Sequence, residues 1–368
     1  MKQVITATIA KEMLREGKGL ESLAATDVVT PAARDVFSAV KPRTKTAPAL
    51  SRDAKDDLFG EPRVPDHEFR WTPGRDPKSR EEIRAFYYSP EVTRVREQMA
   101  GIGRRMWQRE YTDGNGGNLT VRVGDNLVLC TPTLISKGSM TADDMALIDL
   151  EGKQVAGRFK RTSEAMTHLA IMKRQPKAKA CCHAHPPHAT AFAVAKVRPP
   201  TCLIPEAEVF LGEIGMAEYR TPGSPQNAEE VGRVAIDHMS VLMINHGVIT
   251  WGKDIEDAYW KMENTESYCK TVWVASQLGK ELTPITGSEA LELIKIRKSL
   301  GMDDKREGLR ECELCDNSDF HPGFYSDAQP RCGSGADPRE NETEEMVRSI
   351  TQEIIRQLES ETCGCGAS

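Results

Sequence analysis

Residues 178–185 read AKACCHAH, and this stretch decides how the rest of the chain is interpreted. Small apolar residues that lead into His-x-His predict a buried strand ending on two histidines. Residues i and i+2 of a strand point to the same face, so we expect His183 and His185 to stand side by side. A lone His-x-His pair is more often an accident of composition than a metal site, and a third ligand is needed to change that balance.

A second apolar run supplies this third histidine. Residues 240–245 read SVLMIN and predict another strand, which ends at His246, and Gly247 permits a tight turn after it. Zinc accepts imidazole nitrogen and carboxylate oxygen, and a catalytic zinc ion keeps one coordination position open. The pattern therefore predicts a three-histidine metal site, with the carboxylate of Glu164 beside it.

Composition and charge bear on the possible partners. The chain has 368 residues, enough for one large or two ordinary domains, and a net charge of −6 argues against a nucleic-acid partner. No apolar run is long enough to span a membrane, and the N-terminus lacks the pattern of a secretory signal. Most of the ten cysteines lie in apolar runs or in a polar tail, which favours a reducing cytoplasmic compartment over a disulfide framework.

The sequence predicts five segments along the chain. They are an N-terminal extension with an amphipathic helix (1–40), an extended linker (41–87), a folded domain (88–300), a second linker (301–342) and a C-terminal amphipathic helix (343–368). The apolar stripe of the first helix, predicted over residues 2–20, comprises Val4, Ile5, Ile9, Met13 and Leu14.

Within the domain, two long helices are predicted from their caps and periodicity. One begins after Pro90 and carries on one face Val92, Val95, Met99, Ile102 and Met106. The last helix of the domain should run from Asp254, a good N-cap residue, to Leu278, with Gly279 just past its end. Short β-like runs alternate with helical ones between residues 112 and 252.

A succession of motifs carries a family resemblance. In order, they are GNLT (117–120), TPT (131–133), KGSMTADDMALIDLEG (137–152), TSEAMTHLAIMK (162–173), HAHPPHATA (183–191) and INHGVITWG (244–252). This order and spacing resemble the class II aldolase/adducin family over roughly residues 88–285. The resemblance implies an α/β sandwich with a mostly antiparallel central sheet flanked by helices, assembled as a homotetramer with active sites at subunit boundaries.

The resemblance also implies roles for individual residues. His183, His185 and His246 match the family's three zinc ligands. Glu164 matches its catalytic carboxylate, which also binds zinc when substrate is absent. The implied reaction is zinc-dependent cleavage of L-fuculose or L-rhamnulose 1-phosphate to dihydroxyacetone phosphate and L-lactaldehyde. The alternatives are a sugar-phosphate 4-epimerase of the same family, where an aspartate replaces Glu164, and a non-catalytic adducin-like scaffold, whose members tend to lack the histidines.

The substrate phosphate is expected, by the same resemblance, to bind Asn115, Asn118, Thr133, Thr162 and Ser163. The chain departs from the family here, because Leu134 occupies the position where the motif usually has a glycine that lets the backbone approach phosphate. Lys137 either compensates for this change or is an ordinary solvated lysine.

The base that removes the substrate's hydroxyl proton is a second departure. The fuculose enzymes use a tyrosine donated across a subunit boundary, but residues 201–218 contain none before Tyr219. A carboxylate takes this role in the rhamnulose enzymes, which leaves Glu206 or Glu208 as candidates. If the segment is a strand, the two share one face.

Two further sites are predicted outside this chemistry. Cys312, Cys315, His321 and Cys332 form a loose cluster that could hold a second zinc ion. The C-terminal helix resembles the encapsulation peptides of enzymes housed in bacterial microcompartments, and the 2–20 segment could be another. Shell proteins are therefore possible partners, in the compartment lumen; the alternative is that the helix folds back on the enzyme or exchanges between subunits.

Overall fold

The structure is a computed structural model that describes residues 4–15, 22–23, 27–39, 65–315, 317 and 320. It divides the chain into two compact units, residues 1–65 and 66–368. The predicted C-terminal amphipathic helix, the predicted ligands His321 and Cys332, and residues 41–64 of the predicted linker lie outside the described residues. The rest of that linker is described, and the prediction of an extended segment is wrong at its end, where a helix spans residues 80–87. Within the described part of the chain, no helix has both the length and the apolar character needed to cross a bilayer.

The N-terminal unit is a small β-α-β-α arrangement. Strands β1 (Val4–Ile5) and β2 (Val28–Val29) pair in parallel, and helices α1 (Ala7–Arg15) and α2 (Pro31–Ala39) follow them. The prediction that Val4 and Ile5 belong to the stripe of the first helix is wrong, because both residues lie in β1. β-branched residues favour the extended strand, and the Thr6 hydroxyl accepts a hydrogen bond from the Ile9 amide where α1 begins.

An eight-stranded sheet forms the centre of the second unit. Its strands are β3 (Asn118–Arg122), β4 (Val128–Cys130), β5 (Ala146–Ile148), β6 (Gln154–Ala156), β7 (Ala180–Ala184), β8 (Gly215–Ala217), β9 (Ser240–Met243) and β10 (Gly247–Gly252). The spatial order is β6-β5-β4-β3-β7-β10-β9-β8, and every neighbouring pair is antiparallel except β8 with β9. This confirms the predicted α/β fold with a mostly antiparallel sheet.

Helices cover both faces of this sheet. They are α3 (Arg80–Tyr87), α4 (Pro90–Gln108), α5 (Ala165–Arg174), α6 (Pro187–Ala195), α7 (Pro205–Phe210), α8 (Pro225–Val234), α9 (Ile255–Ser276) and α10 (Gly287–Ser299). Adjacent residues of β7 face opposite layers: Cys182 packs in the cluster with α4 and α9, and Cys181 in the cluster with α5 and α8. β7 is therefore buried on both faces, which accounts for its unbroken run of small apolar residues.

Both long helices follow their predicted patterns. In α4 the Ser89 hydroxyl caps the first turn, Pro90 takes the first helical position, and all five predicted stripe residues are buried. Helix α9 is capped by Asp254, as predicted, but it ends at Ser276 and is not the last helix of the domain. Helix α10 follows, starting from a capping box between Thr286 and Glu289, which the sequence analysis overlooked.

The segment after α10 packs against the domain, although it was predicted to be a linker from residue 301. Arg306 and Leu314 are buried, and Cys315 forms a disulfide with Cys202, 113 residues earlier in the chain. Cys315 is thus unavailable to the predicted second zinc site, and the expectation that the cysteines form no disulfide is wrong at this pair. The partners are too far apart in sequence for local spacing to indicate the bond.

Candidate metal centre

Three adjacent strands bring the predicted histidines together. Strand β7 lies between β3 and β10, and its residue His183 pairs with Asn118 on one side and Ile249 on the other. His246 lies in the tight turn between β9 and β10, where Asn245 adopts a left-handed conformation with φ of 56°. The end of β7 and the β9–β10 turn therefore meet at one edge of the sheet.

Gly247 allows this turn to approach β7. A Cβ atom at Gly247 would lie 2.6 Å from the carbonyl oxygen of Ala184 and 2.6 Å from Cδ2 of His185. Real Cβ atoms do not approach other atoms so closely, so any side chain here would push the turn away from β7. Gly247, which the sequence analysis identified as a turn residue, is therefore required by the close contact between the β9–β10 turn and β7.

Candidate ligand nitrogens of His183, His185 and His246 lie within 4.8 Å of one another. The Nδ1 atom of His183 is 2.8 Å from the carbonyl oxygen of Val248, which can only accept, so Nδ1 carries the proton and Nε2 presents a lone pair. The Nδ1 atom of His185 donates in the same way to the Asp113 carboxylate at 2.7 Å. Partners of this kind fix the tautomer of metal-binding histidines.

These tautomers leave electron pairs facing one another. The two Nε2 atoms of His183 and His185 are 3.2 Å apart with no proton to share. The Glu164 carboxylate adds two more acceptors, with Oε2 at 3.4 Å from Nε2 of His183 and Oε1 at 3.4 Å from Nε2 of His246. Such a group of acceptors is repulsive unless a cation binds among them, so the donor set fits a divalent metal ion, and its three nitrogens and one oxygen suit zinc.

Burial keeps the imidazoles of His183 and His246 in the form that binds metal. Burial lowers the pKa of His183 to about 3, and it also lowers the pKa of His246. For Glu164, burial opposes ionisation, while a hydrogen bond from Asn118 favours the charged form and lowers the pKa of the carboxyl group. Neutral imidazoles and an ionised carboxylate are the protonation states of metal ligands.

His168 lies beside this group but supports the fold. It is fully buried, and its Nδ1 atom lies 2.9 Å from the Thr120 hydroxyl. Burial lowers its pKa to about 4, so the ring is neutral. His168 therefore packs inside the fold beside the candidate ligands.

The predicted phosphate residues fall into two groups. Asn118 donates to the Glu164 carboxylate at 2.8 Å, and the Thr162 hydroxyl accepts from the Glu164 amide at 3.3 Å, so both lie next to the histidines. Ser163 is exposed beside them, while Asn115 and Thr133 lie on the turns before β3 and after β4.

Leu134 adopts a left-handed backbone conformation at the position where the family motif usually has a glycine. Its φ is 59°, in the left-handed region that glycine favours, and its side chain is 80% exposed. The turn therefore keeps a glycine-like backbone while the leucine side chain points into solvent.

Asp113 is a site residue that the sequence analysis missed. It lies in the DGNGG turn at 113–117, whose glycines indicated only a loop. Its role depends on a contact with His185, 72 residues away in sequence. In the sequence, Asp113 is only a carboxylate beside a predicted turn, and nothing local links it to the distant His-x-His pair.

The two carboxylates proposed as the hydroxyl base lie on α7, not on a strand, so they do not share a face. Glu206 is exposed and stays a prediction. Glu208 is 1% exposed; it accepts a hydrogen bond from the Cys202 amide at 2.6 Å and lies 2.8 Å from Nη1 of Arg306. These contacts give Glu208 a structural role and argue against it as the base.

Replacing one predicted ligand should remove the metal. In His183→Ala the donor set loses an imidazole at its most buried position, so we expect bound divalent metal to fall well below that of the wild type. Elemental analysis of the purified, folded variant measures this, with His67→Ala, which lies outside the cluster, as the control. Full metal content in His183→Ala would contradict the assignment.

The contrast between the two α7 carboxylates predicts a contrast in stability. Glu208→Gln leaves Arg306 with less compensation in a buried ion-pair network, and we expect a loss of roughly 3 kcal/mol in the free energy of unfolding. Glu206→Gln, on the exposed side of the same helix, should change it by less than about 0.5 kcal/mol. Denaturant unfolding of both variants tests this, and equal stabilities would contradict the structural role of Glu208.

Comparison with known proteins places this site in a family. The family described as "Class II Aldolase and Adducin N-terminal domain" matches residues 97–273. The 3-oxo-tetronate 4-phosphate decarboxylase of Haemophilus influenzae is 34% identical over 202 residues, which cover 54% of this chain and 95% of the relative. The L-fuculose phosphate aldolase of Methanococcus maripaludis is 36% identical over 177 residues, which cover 48% of this chain and 95% of that relative.

Solved structures agree with these relatives. The crystal structure of YgbL from Escherichia coli, described as a putative aldolase/epimerase/decarboxylase, superposes with a TM-score of 0.52 at 25% identity and covers 55% of this chain and 98% of that one. An L-fuculose 1-phosphate aldolase gives a TM-score of 0.52 at 25% identity, and the superposition covers 56% of this chain and 96% of that one. With this fold, this cluster of histidines and relatives matched over nearly their whole length, the chain belongs to the class II aldolase/adducin family.

Proposed function

We propose that this protein is a zinc-dependent aldolase that cleaves L-fuculose 1-phosphate or L-rhamnulose 1-phosphate to dihydroxyacetone phosphate and L-lactaldehyde. The observation that carries the proposal is the convergence of three imidazole Nε2 atoms with the Glu164 carboxylate, 3.4 Å from two of them. The relatives named as L-fuculose phosphate aldolases support it. A bound metal ion would supply Lewis-acid polarisation of the substrate's carbonyl oxygen.

The residues of this chain account for the remaining steps. Cleavage of the C3–C4 bond leaves its electron pair on C3, while the C4 hydroxyl loses a proton and becomes the aldehyde. A proton must then be added at C3. Glu164, which is ionised in the substrate-free site, is the carboxylate in position to take up a proton and deliver it to C3, since proton transfer needs only hydrogen-bond reach. Asn118 holds Glu164 by a 2.8 Å hydrogen bond and so orients the carboxylate for this transfer.

Decarboxylation of a phosphorylated 3-oxo acid is a second candidate. The position of Glu208 favours it, because that carboxylate is engaged by Arg306 and leaves only the exposed Glu206 as a candidate base. Loss of CO₂ from a 3-oxo acid needs no base at a hydroxyl group: the bond to the carboxylate breaks, its electron pair stays on the adjacent carbon, and that carbon is then protonated. The relative from Haemophilus influenzae is named as such a decarboxylase.

One assay separates the two candidates. The purified protein is incubated with L-fuculose 1-phosphate, L-rhamnulose 1-phosphate and a 3-oxo-tetronate 4-phosphate, with and without chelator. Lactaldehyde release that the chelator abolishes supports the aldolase, and CO₂ release supports the decarboxylase. Activity that survives complete removal of the metal would contradict both proposals. Interconversion of sugar phosphates without cleavage would instead indicate the epimerase alternative.

Glu164→Gln should separate metal binding from catalysis. The three histidines still bind the metal, but an amide cannot transfer a proton, so we expect turnover to fall about 10²-fold or more with metal content retained. Steady-state kinetics and elemental analysis measure the two quantities. Glu97→Gln, on the exposed face of α4, is the matched control. Activity of Glu164→Gln within threefold of the wild type would remove Glu164 from the mechanism.

The resemblance of the predicted C-terminal helix to encapsulation peptides supports a place for this enzyme in a microcompartment, where a reactive aldehyde product would be retained. We expect residues 341–360, fused to a fluorescent protein, to carry it into such a compartment in the native host. Deletion of the segment should leave metal content and turnover unchanged. A diffuse fusion protein together with an unfolded truncated enzyme would show that the segment belongs to the catalytic fold.

A further inference from the structure

Lys137 is buried near the metal centre without a counter-charge. Its side chain is 1% exposed, and Nζ donates to the carbonyl oxygens of Asn115 at 2.9 Å and Ile135 at 2.6 Å. Among the described residues, no carboxylate forms an ion pair with it. Lys137 is therefore not the ordinary solvated lysine that was one of the two alternatives.

An ammonium group in this position requires an explanation. Lysine is almost never fully buried unless it is paired, because transferring its charge out of water is costly. An ammonium has three N–H donors, and the described contacts of Lys137 use two of them, both with neutral carbonyl groups. Carbonyl dipoles offset only part of the cost, so the site favours a negative charge from outside the chain.

The two carbonyl groups show where the Lys137 ammonium lies relative to the candidate metal centre. The Asn115 carbonyl lies in the 113–117 turn, in which Asp113 binds His185, and the Ile135 carbonyl follows Thr133 in the turn after β4. Lys137 thus connects a turn that supports the metal centre to a turn that carries a predicted phosphate residue. The five side chains predicted to bind phosphate are all neutral, so they can donate hydrogen bonds but supply no charge.

We propose that Lys137 is a positioning residue for the phosphate group of the substrate: it supplies the positive charge that the neutral side chains lack, and it holds the 113–117 and 133–136 turns at the spacing that receives a dianion. The proposal rests on the phosphorylated substrate of the proposed function. Leu134 is compatible with it, since the leucine side chain points to solvent.

Other charged groups around Lys137 are already engaged. Asp113, on the turn that Lys137 contacts, binds His185, and on the adjoining helix α4 Arg105 pairs with Glu256 and Arg109 with Glu263. Burial alone lowers the pKa of Lys137 to about 8. Because the protonated form attracts an anion, the affinity for a dianion should decrease as the pH rises through about 8.

The test measures binding of inorganic sulfate to the metal-loaded protein by isothermal titration calorimetry. Sulfate stays doubly charged from pH 7 to 10, so any pH dependence belongs to the protein. We expect Lys137→Met to weaken sulfate binding at least tenfold at pH 7, with metal content unchanged. Lys137→Arg, which keeps the charge at all these pH values, should bind sulfate more tightly than Lys137→Met and show little pH dependence. Lys153→Met, at an exposed position, is the control.

Two results would overturn the proposal. One is a folded Lys137→Met variant whose sulfate affinity lies within twofold of the wild type. The other needs no variant: a wild-type affinity that stays constant from pH 7 to 10 would show that no titrating cation contributes. Sulfate binding requires no turnover, so a protein that fails to cleave the sugar phosphates can still pass or fail this test on its own.

Discussion

The close contact between the β9–β10 turn and the end of β7 is the constraint on which the site depends. It exists because Gly247 has no side chain, and a Cβ atom there would lie 2.6 Å from the backbone of Ala184. His183 and His185 are positioned by the strand they end, but His246 reaches them only through this turn. The position of the candidate metal centre is therefore set by the central sheet, since His183 lies in β7, His185 directly follows it, and His246 lies in the turn that joins β9 to β10.

The electrostatics of the site follow from its burial. An imidazole buried away from water stays neutral, with a proton on one ring nitrogen and a lone pair on the other. The hydrogen bond that the protonated nitrogen donates fixes the direction of the lone pair. The Val248 carbonyl accepts this hydrogen bond from His183, and the Asp113 carboxylate accepts it from His185. Glu164 accepts a hydrogen bond from Asn118, which favours its charged form. The protein thus assembles a set of electron-pair donors whose mutual repulsion only a cation relieves.

The sequence predicted those parts that local patterns determine. Helix α4 and strands β7 and β9 were recognisable because burial gives each a characteristic period or an unbroken apolar run. Prediction failed where a distant contact decides the outcome. The hydrogen bond between Asp113 and His185 and the disulfide between Cys202 and Cys315 join residues far apart in sequence, and no local spacing indicates either. The strand assumed for Glu206 and Glu208 is a short helix that begins with Pro205, a residue favoured at the first helical position.

Leu134 illustrates how a site can tolerate a departure from its family's sequence. A leucine in the left-handed conformation costs roughly 1–2 kcal/mol relative to its preferred backbone, yet this turn retains that conformation. The surrounding contacts must therefore impose it: the Thr133 amide bonds the Lys160 carbonyl, and Lys137 bonds the carbonyl of Ile135. A turn fixed from both sides holds this left-handed backbone with leucine in place, because the side chain points into solvent.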